Sequence, residues 1–238
     1  MSDSVQAPPR ATVDVIIPAL DEEQALPRVL ADIPGWVRRV VVADNGSRDR
    51  TAEVARAAGA AVVHEPRRGY GAACLRALAH IAADPPEIVV FLDGDYSDHP
   101  EEMARLVGPI AAGEADLVIG SRATGRAERG SLTPQQRVGN AVACLALRAL
   151  YDARYTDLGP FRAIRHDALM ALGMGDLDYG WTVELQIKAA RAGLRHREVP
   201  VSYRRRIGVS KVSGTLRGTL GASRKILTVL LRHARAPS

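Results

Sequence analysis

Apolar runs and stretches of helical spacing alternate along residues 13 to 121. The continuous apolar runs predict buried strands at 13–19, 39–45, 60–66, 87–93 and 115–121. Between them, the recurrence of apolar side chains predicts helices at 21–33, 47–59, 71–83 and 100–112. Ser47 is the predicted N-cap of the second helix and Gly59 its predicted stop. Strands that are apolar throughout and alternate with helices predict an α/β fold, in which a mostly parallel sheet is covered by helices on both faces.

The second half of the chain is less regular. Its predicted elements are a polar loop at 122–134, a helix at 135–150 and a strand at 196–206. We expect one domain over 13–214, preceded by a disordered segment at 1–12. A basic amphipathic helix and tail are predicted at 215–238, because the leucines of this segment fall together on a helical wheel.

Polar loops follow four of the predicted strands. They lie at 18–22, 44–47, 65–71 and 93–98. In an open parallel sheet the carboxyl ends of the strands lie at one edge, and ligands bind there. The sequence therefore predicts a single crevice that is lined by loops from distant parts of the chain.

The loop after the fourth strand is rich in carboxylates. The stretch FLDGDYSDHPEE places Asp93 and Asp95 on either side of Gly94, where the backbone can turn tightly. Carboxylates suit Mg²⁺ or Mn²⁺ when substrate phosphates complete the coordination shell. The alternative is that these acids form Asx turns and cap the following helix, a role that suits Asp98 best.

Charge is distributed unevenly along the chain. The net charge is +5, yet residues 199 to 238 hold nine Lys and Arg and no acid, so the preceding 198 residues are net acidic. Such a tail favours a phosphate-rich partner, such as an anionic membrane surface, a lipid phosphate or nucleic acid. Only 4% of the residues are aromatic, which leaves no stacking platform for bases, and no nucleic-acid partner is expected.

Two features bear on the compartment. Cys74 and Cys144 lie in apolar, helix-like surroundings, which is typical of buried thiols in a reducing environment. No apolar run of membrane-spanning length is found, and residues 1 to 12 lack the apolar core of a signal peptide. We expect a cytoplasmic protein that could lie peripherally at the inner face of the plasma membrane.

The loops together carry an ordered set of motifs. They read VIIPALDEE, VVVADNGSRDRT, RRGYGAA, FLDGDYSDHPEE and VIGSR. Over about residues 13 to 214 this set resembles the family 2 glycosyltransferases, which have a GT-A fold. It is most similar to the branch that contains dolichyl-phosphate mannosyltransferase and bacterial polyprenyl-phosphate glycosyltransferases. The resemblance implies inverting, metal-dependent transfer of a hexose from a UDP- or GDP-sugar to a polyprenyl-phosphate-like acceptor.

The resemblance also assigns a donor site. The nucleoside-binding residues would be Pro18, Ala19, Glu22 and Asp44, those of the donor pocket Gly69, Tyr70 and Gly71, and those of a mobile loop over the diphosphate Arg205, Ser210 and Lys211. Asp93 and Asp95 would bind the Mg²⁺ or Mn²⁺ ion that bridges the diphosphate. The ion would neutralise the charge that develops as the sugar bond breaks.

The acceptor side is assigned in the same way. Its binding residues would be Arg122, Arg137, Asn140, Arg162 and Trp181, and the catalytic residues Asp95, Asp157 and Glu184. Arginine suits a phosphate acceptor because its planar fork binds phosphate oxygens in pairs. Gly159, Pro160 and Phe161 stand where many relatives have a Ser-Gly pair, a departure from the family pattern at this segment.

Other functions are compatible with parts of the sequence. A soluble hydroxyl acceptor would need a general base, for which Glu184 or Asp157 is the candidate, whereas a phosphate acceptor already carries its charge. A sugar nucleotidyltransferase would need a glycine-rich basic loop after the first strand, where this chain reads PALDEE. The C-terminal helix could bind a membrane, pack on the protein's own core or contact a second subunit in a homo-oligomer.

Overall fold

The computed structural model describes residues 11–208 and 228–229. Within these residues seven strands form one sheet: β1 (Val13–Ala19), β2 (Arg39–Asp44), β3 (Ala61–His64), β4 (Ile88–Phe91), β5 (Leu117–Ala127), β6 (Arg162–Arg165) and β7 (His196–Tyr203). Their order is β3-β2-β1-β4-β6-β5-β7. All pairs are parallel except those of β6, which runs antiparallel to β4 and β5. The predicted mostly parallel α/β sheet is confirmed.

Helices cover both faces of the sheet. They are α1 (Leu26–Ala31), α2 (Thr51–Ala57), α3 (Tyr70–Ile81), α4 (Met103–Ala111), α5 (Pro134–Tyr151), α6 (His166–Ala171) and α7 (Trp181–Arg191), with a short 3₁₀ turn at Pro100–Glu102 before α4. One apolar cluster joins the sheet to α3, α5 and α7, and the other joins it to α1, α2 and α4. Strands β1 and β4 are buried on both sides, which explains why they are apolar apart from Asp14, whose carboxylate pairs with Arg38 and Arg39.

Several boundaries differ from the sequence predictions. Ser47 is not an N-cap, because α2 begins at Thr51 and the Ser47 hydroxyl instead accepts a hydrogen bond from the Asp21 amide. Residues 122–127 extend β5 and are not loop, while β6 and α6 were not predicted. Gly59 follows the end of α2 at φ +85°, as its role of stop requires.

Further predictions concern the two ends of the chain, the cysteines and membrane-spanning helices. Thr12, which we expected to be disordered, is hydrogen-bonded beside β4. Its carbonyl accepts from the amides of Glu87 and Ile88, and its amide donates to the Glu87 carboxylate at 3.1 Å. The predicted helix at 215–238 lies outside the described residues, except for positions 228 and 229, which are helical. Cys74 and Cys144 are free and buried, as expected. No helix in the described parts of the chain has the length and apolarity needed to cross a bilayer.

Candidate active site

A cavity of about 420 Å³ opens at the carboxyl ends of β1, β2 and β4. Seven of the predicted donor-site residues line it: Pro18, Ala19, Glu22, Gly69, Tyr70, Asp93 and Asp95. Asn45 and Arg68, from two of the predicted loops, also line it. Asp178, Tyr179 and Arg206 line it as well and were not predicted. The cavity lies where the topology places the predicted crevice.

The acidic loop forms one wall of this cavity. Asp95 as a whole residue is 4% exposed, and its carboxylate accepts hydrogen bonds from the Ser97 amide (2.9 Å) and hydroxyl (2.5 Å). Its other oxygen pairs with the guanidinium of Arg206. Burial and the neighbouring charge of Asp95 raise the pKa of Asp93 to about 7. The loop therefore concentrates negative charge that a cation can neutralise.

Asp98 is the most enclosed acid of this loop. It is 1% exposed, its Oδ2 lies 3.5 Å from the Asp93 amide, and its Oδ1 has no hydrogen-bond partner among the described residues. Burial, reinforced by Asp93 and Asp95, raises the pKa of Asp98 well above its usual range. Asp98 does not cap α4, since the turn that precedes α4 begins at Pro100.

Asp44, the last residue of β2, and Asn45, which follows it, both form hydrogen bonds that order the adjacent loops, but only Asn45 lines the cavity. Asp44 accepts a hydrogen bond from the Ser47 amide (3.0 Å), lies 3.3 Å from His64 and is not among the lining residues. Asn45 donates to the carbonyls of Glu65 and Arg67 and accepts from the Gly69 amide at 2.8 Å. Asn45 thus fixes the loop that leads into α3.

Gly69, at the end of that loop, and Gly71, in the first turn of α3, touch the segment before α7. Gly69 has a φ of +142°, and a Cβ there would overlap the carbonyl oxygen of Leu177. A Cβ on Gly71 would overlap the carbonyl oxygen of Asp176. Since the Ala72 amide also donates to the Leu177 carbonyl (3.0 Å), the first turn of α3 and residues 176–178 form one packed wall of the cavity. Gly71 supports this wall from outside the cavity.

The chain after β7 is hydrogen-bonded to the acidic loop. The Arg204 amide donates to the Ser97 carbonyl (2.9 Å) and the Ile207 amide to the Asp95 carbonyl (3.0 Å). The Arg204 guanidinium stacks 3.4 Å from the centre of the Tyr96 ring. Arg206 consequently faces the cavity. Arg205 is exposed and donates to the Arg129 carbonyl, so it lies away from the predicted diphosphate position. Ser210 and Lys211 lie outside the described residues.

Arg122 and Asp157 form a buried ion pair. The Arg122 amide and Nε both donate to Asp157 Oδ2, at 2.7 and 2.8 Å, and Nη2 donates to Oδ1 at 2.7 Å. The guanidinium also lies 5.0 Å from the centre of the Tyr203 ring. Both Asp157 oxygens are therefore occupied by one arginine, and neither residue lines the cavity.

The remaining predicted acceptor residues are mostly structural in this arrangement. Asn140 holds Thr156 and Leu158 through both ends of its amide. Arg162 is 1% exposed and donates to the carbonyls of Leu158, Gly159 and Thr182, and Trp181 packs edge-on against Phe91 in the core. Arg137 is exposed on α5. The structure does not bring these residues together with the cavity.

Glu184 lies on α7 beneath the cavity wall. Its carboxylate accepts hydrogen bonds from the amides of Gly175 (3.2 Å) and Asp176 (2.7 Å) and pairs with Lys188 at 2.9 Å. Asp176 in turn accepts from the amides of Asp178 and Gly180. Glu184 therefore supports the wall that contains Asp178 and Tyr179, and does not itself line the cavity.

We expect Glu184→Gln to lower the stability of the fold while leaving turnover per folded molecule within a few-fold of wild type. The neutral amide keeps one acceptor oxygen but loses the Lys188 pair and one backbone partner, at a cost of about 1–3 kcal/mol. Urea denaturation and steady-state rates measure the two effects separately. Lys188→Gln is the matched control, since it removes the ion pair and keeps both amide contacts. A rate loss of several orders of magnitude in a folded Glu184→Gln protein would instead identify a general base.

The sequence of this chain is similar to those of known proteins. The family described as "Glycosyl transferase family 2" matches residues 14–173. An uncharacterized glycosyltransferase of Mycobacterium tuberculosis is 44% identical over 87% of this chain and 93% of its own length. A dolichyl-phosphate hexose transferase of Haloferax volcanii is 35% identical over 83% and 85%, respectively, and an undecaprenyl-phosphate mannosyltransferase of Micrococcus luteus is 31% identical over 85% and 88%.

A solved structure shares the fold. Glucosyl-3-phosphoglycerate synthase of Mycobacterium tuberculosis, crystallised with Mn²⁺, UDP and glucosyl-3-phosphoglycerate, superposes with a TM-score of 0.76 at 28% identity. The alignment covers 96% of this chain and 82% of that one. The GT-A fold that the sequence motifs implied is thereby confirmed.

Proposed function

Since this chain belongs to glycosyltransferase family 2, we propose that it transfers a hexose from a UDP- or GDP-sugar to a polyprenyl-phosphate-like acceptor, with inversion at the sugar. The observation that carries the proposal is the cavity at the ends of β1, β2 and β4, whose wall holds Asp93 and Asp95. Two of the relatives bear names that specify polyprenyl-phosphate sugar transfer.

A divalent cation, Mg²⁺ or Mn²⁺, is the cofactor that the donor set fits. Asp93 and Asp95 offer hard carboxylate oxygens, and Asp95 already pairs with a cationic group, Arg206. Within residues 11–208 and 228–229 no three acidic, histidine or cysteine side chains form a ready-made metal site. The two carboxylates would therefore share the ion with the donor diphosphate. Bound there, the ion neutralises charge on the leaving diphosphate.

The side chains around the cavity suggest how the reaction is supported. Pro18, Ala19 and Glu22 would hold the nucleoside, and Tyr70 and the neighbouring Gly69 would enclose the donor beside the acidic loop. The acceptor phosphate oxygen would attack the anomeric carbon while the bond from that carbon to the diphosphate breaks and its electron pair leaves on the diphosphate. No proton must be removed, because a phosphate monoester is already charged near neutral pH.

The engagement of Asp157 and Glu184 favours a phosphate acceptor over a hydroxyl. Asp157 is bound on both oxygens by Arg122, and Glu184 is bound by backbone amides and Lys188. Neither is free to take a proton from a hydroxyl in the cavity. The second candidate, transfer to a soluble hydroxyl acceptor, is favoured by the structural similarity to glucosyl-3-phosphoglycerate synthase.

Donor binding is expected to stabilise the fold against heat in the presence of Mn²⁺. At a ligand concentration 100 times the dissociation constant, the gain is about 2.7 kcal/mol. Thermal unfolding with UDP- and GDP-sugars, each with and without Mn²⁺, measures it. If none of these donors raises the melting temperature, the donor assignment fails.

Acceptor class is tested with a short polyprenyl phosphate and 3-phosphoglycerate, each supplied with radiolabelled donor. We expect label to move into the organic phase with the lipid phosphate. Transfer to 3-phosphoglycerate alone would establish the soluble-acceptor function instead.

A further inference from the structure

The acidic loop already contains a cation supplied by the protein. The Arg206 guanidinium pairs with Asp95 Oδ2, and both residues line the cavity. The Asp95 side chain is 6% exposed and that of Arg206 31%, so the pair is shielded from water on the carboxylate side. Burial works against the guanidinium charge, but the carboxylates of Asp95 and Asp93 outweigh it and raise the pKa of Arg206.

The backbone holds Arg206 in this position. Arg204, two residues before it, and Ile207, directly after it, are bound to the acidic loop by backbone hydrogen bonds of 2.9 and 3.0 Å. Arg204 is fixed further by its stacking on Tyr96 and by its hydrogen bonds to the Tyr96 and Asp98 carbonyls. Tyr96 has a φ of +67°, which is unusual for a residue other than glycine and indicates a constrained turn. The pairing is thus a built feature of the loop and not a chance contact of a long side chain.

We infer that Arg206 is an internal competitor for the divalent ion, which couples metal binding to donor binding. The inference rests on the proposed function, because it concerns the same carboxylates and the same donor. Asp95 Oδ1 already accepts two hydrogen bonds from Ser97, so a divalent ion held by Asp95 would use Oδ2, the oxygen that Arg206 occupies. Two cations at that oxygen would repel each other strongly. Binding of the free ion must therefore displace Arg206 from its only carboxylate partner among the described residues.

A nucleoside diphosphate changes this balance. Its phosphate oxygens supply further metal ligands, and they also offer Arg206 a new anionic partner in the same cavity. The displaced guanidinium then exchanges a carboxylate for a phosphate instead of being left unpaired. Free metal consequently binds weakly, while metal and donor together bind well. In this arrangement Arg206 is a positioning residue for the donor diphosphate.

Removal of the Arg206 charge should shift the two affinities in opposite directions. For Arg206→Gln we expect free Mn²⁺ to bind about tenfold more tightly than to wild type, equivalent to about 1.4 kcal/mol. We expect UDP in the presence of saturating Mn²⁺ to bind about tenfold more weakly, because a charge-assisted phosphate contact is lost. Electron paramagnetic resonance of unbound Mn²⁺ measures the first affinity and calorimetric titration of UDP the second.

Two variants make the test specific. Arg205→Gln removes the same charge one residue away, where the side chain contacts the Arg129 carbonyl, and should leave both affinities at the wild-type value. Arg206→Lys retains a positive charge and should show a smaller gain in free Mn²⁺ affinity than Arg206→Gln. Thermal unfolding without ligand identifies any variant that fails to fold.

The inference is overturned if Arg206→Gln, folded as wild type, binds free Mn²⁺ no more tightly than wild type does. It is also overturned if Arg205→Gln produces the same gain, because a general charge effect would then be sufficient. If GDP replaces UDP as the nucleotide that binds the wild type, the same titrations use GDP. A failure of the proposed function gives a different result, because the wild-type protein would then bind neither nucleotide.

Discussion

Asp95→Asn is expected to reduce sugar transfer by about 10²- to 10³-fold, the range found when one group that stabilises developing charge is removed. The amide oxygen is a neutral and therefore weaker ligand of a hard divalent ion than a carboxylate is, and the substitution leaves Arg206 facing a neutral group. Metal binding should therefore fall together with the rate. Turnover at saturating donor and Mn²⁺ titration by electron paramagnetic resonance measure the two effects.

Glu101→Gln is the matched control for this substitution. Glu101 is an exposed carboxylate shortly after the same loop, and its partner is His99 at 2.8 Å. Removing its charge should change neither metal affinity nor rate beyond about twofold, since surface ion pairs contribute little. Retention of both wild-type Mn²⁺ affinity and wild-type turnover by Asp95→Asn would exclude Asp95 from the metal site.

Gly71→Ala is expected to damage the fold and the donor site together. The added methyl group would overlap the Asp176 carbonyl oxygen, and backbone must move to accommodate it because no flexible side chain intervenes. Overpacking of this kind costs about 1–3 kcal/mol. As the wall formed by α3 and residues 176–178 separates, we also expect donor affinity to fall at least about tenfold. Urea denaturation and nucleotide calorimetry give the two values.

Gly139→Ala provides the comparison on a helix where space is open. Among the described residues, no atom outside the neighbouring residues and backbone of α5 lies within 4 Å of a Cβ at that position, so the methyl group should stabilise α5 by up to about 1 kcal/mol. Opposite signs for the two glycine substitutions would confirm that close backbone approach, and not helix propensity, determines the effect at Gly71. A Gly71→Ala protein with unchanged stability and donor affinity would contradict the packed wall.

The donor side was predictable because it depends on strand ends. Apolar runs identify β1, β2 and β4, and parallel pairing then brings the loops that follow them to one edge without any knowledge of side-chain contacts. The motifs then indicated which residues of these loops carry the chemistry. Asp93 and Asp95 at the cavity wall required no more than this combination.

The family motif indicates Arg205 for contact with the diphosphate, whereas the residue that lines the cavity is Arg206. In an extended segment successive side chains point to opposite sides, so Arg204 and Arg206 face the acidic loop while Arg205 faces Arg129. The register that decides between the two faces comes from backbone hydrogen bonds to Ser97 and Asp95, which lie more than 100 residues earlier in the chain. That pairing leaves no periodic signal in the sequence.

Residue type alone did not predict the roles of the acceptor residues. Glu184 and Asp157 have the residue type of a base, but their roles depend on partners that the sequence does not reveal, namely two backbone amides and one arginine. The short strand β6 was overlooked for a related reason. Its four residues, Arg162–Arg165, have an arginine at each end and only two apolar residues between them, so they do not resemble a buried parallel strand.

The position of β6 determines when, during synthesis of the chain, β4 is paired on both sides. Strand β4 ends at Phe91, yet the neighbour on one of its sides begins at Arg162, so about 70 further residues must leave the ribosome before that side is paired. Until then an apolar strand edge next to the acidic loop stays open to other nascent chains. Slow synthesis through residues 92 to 161 should therefore favour aggregation, and a holdase that covers β4 during this interval should raise the yield of native protein.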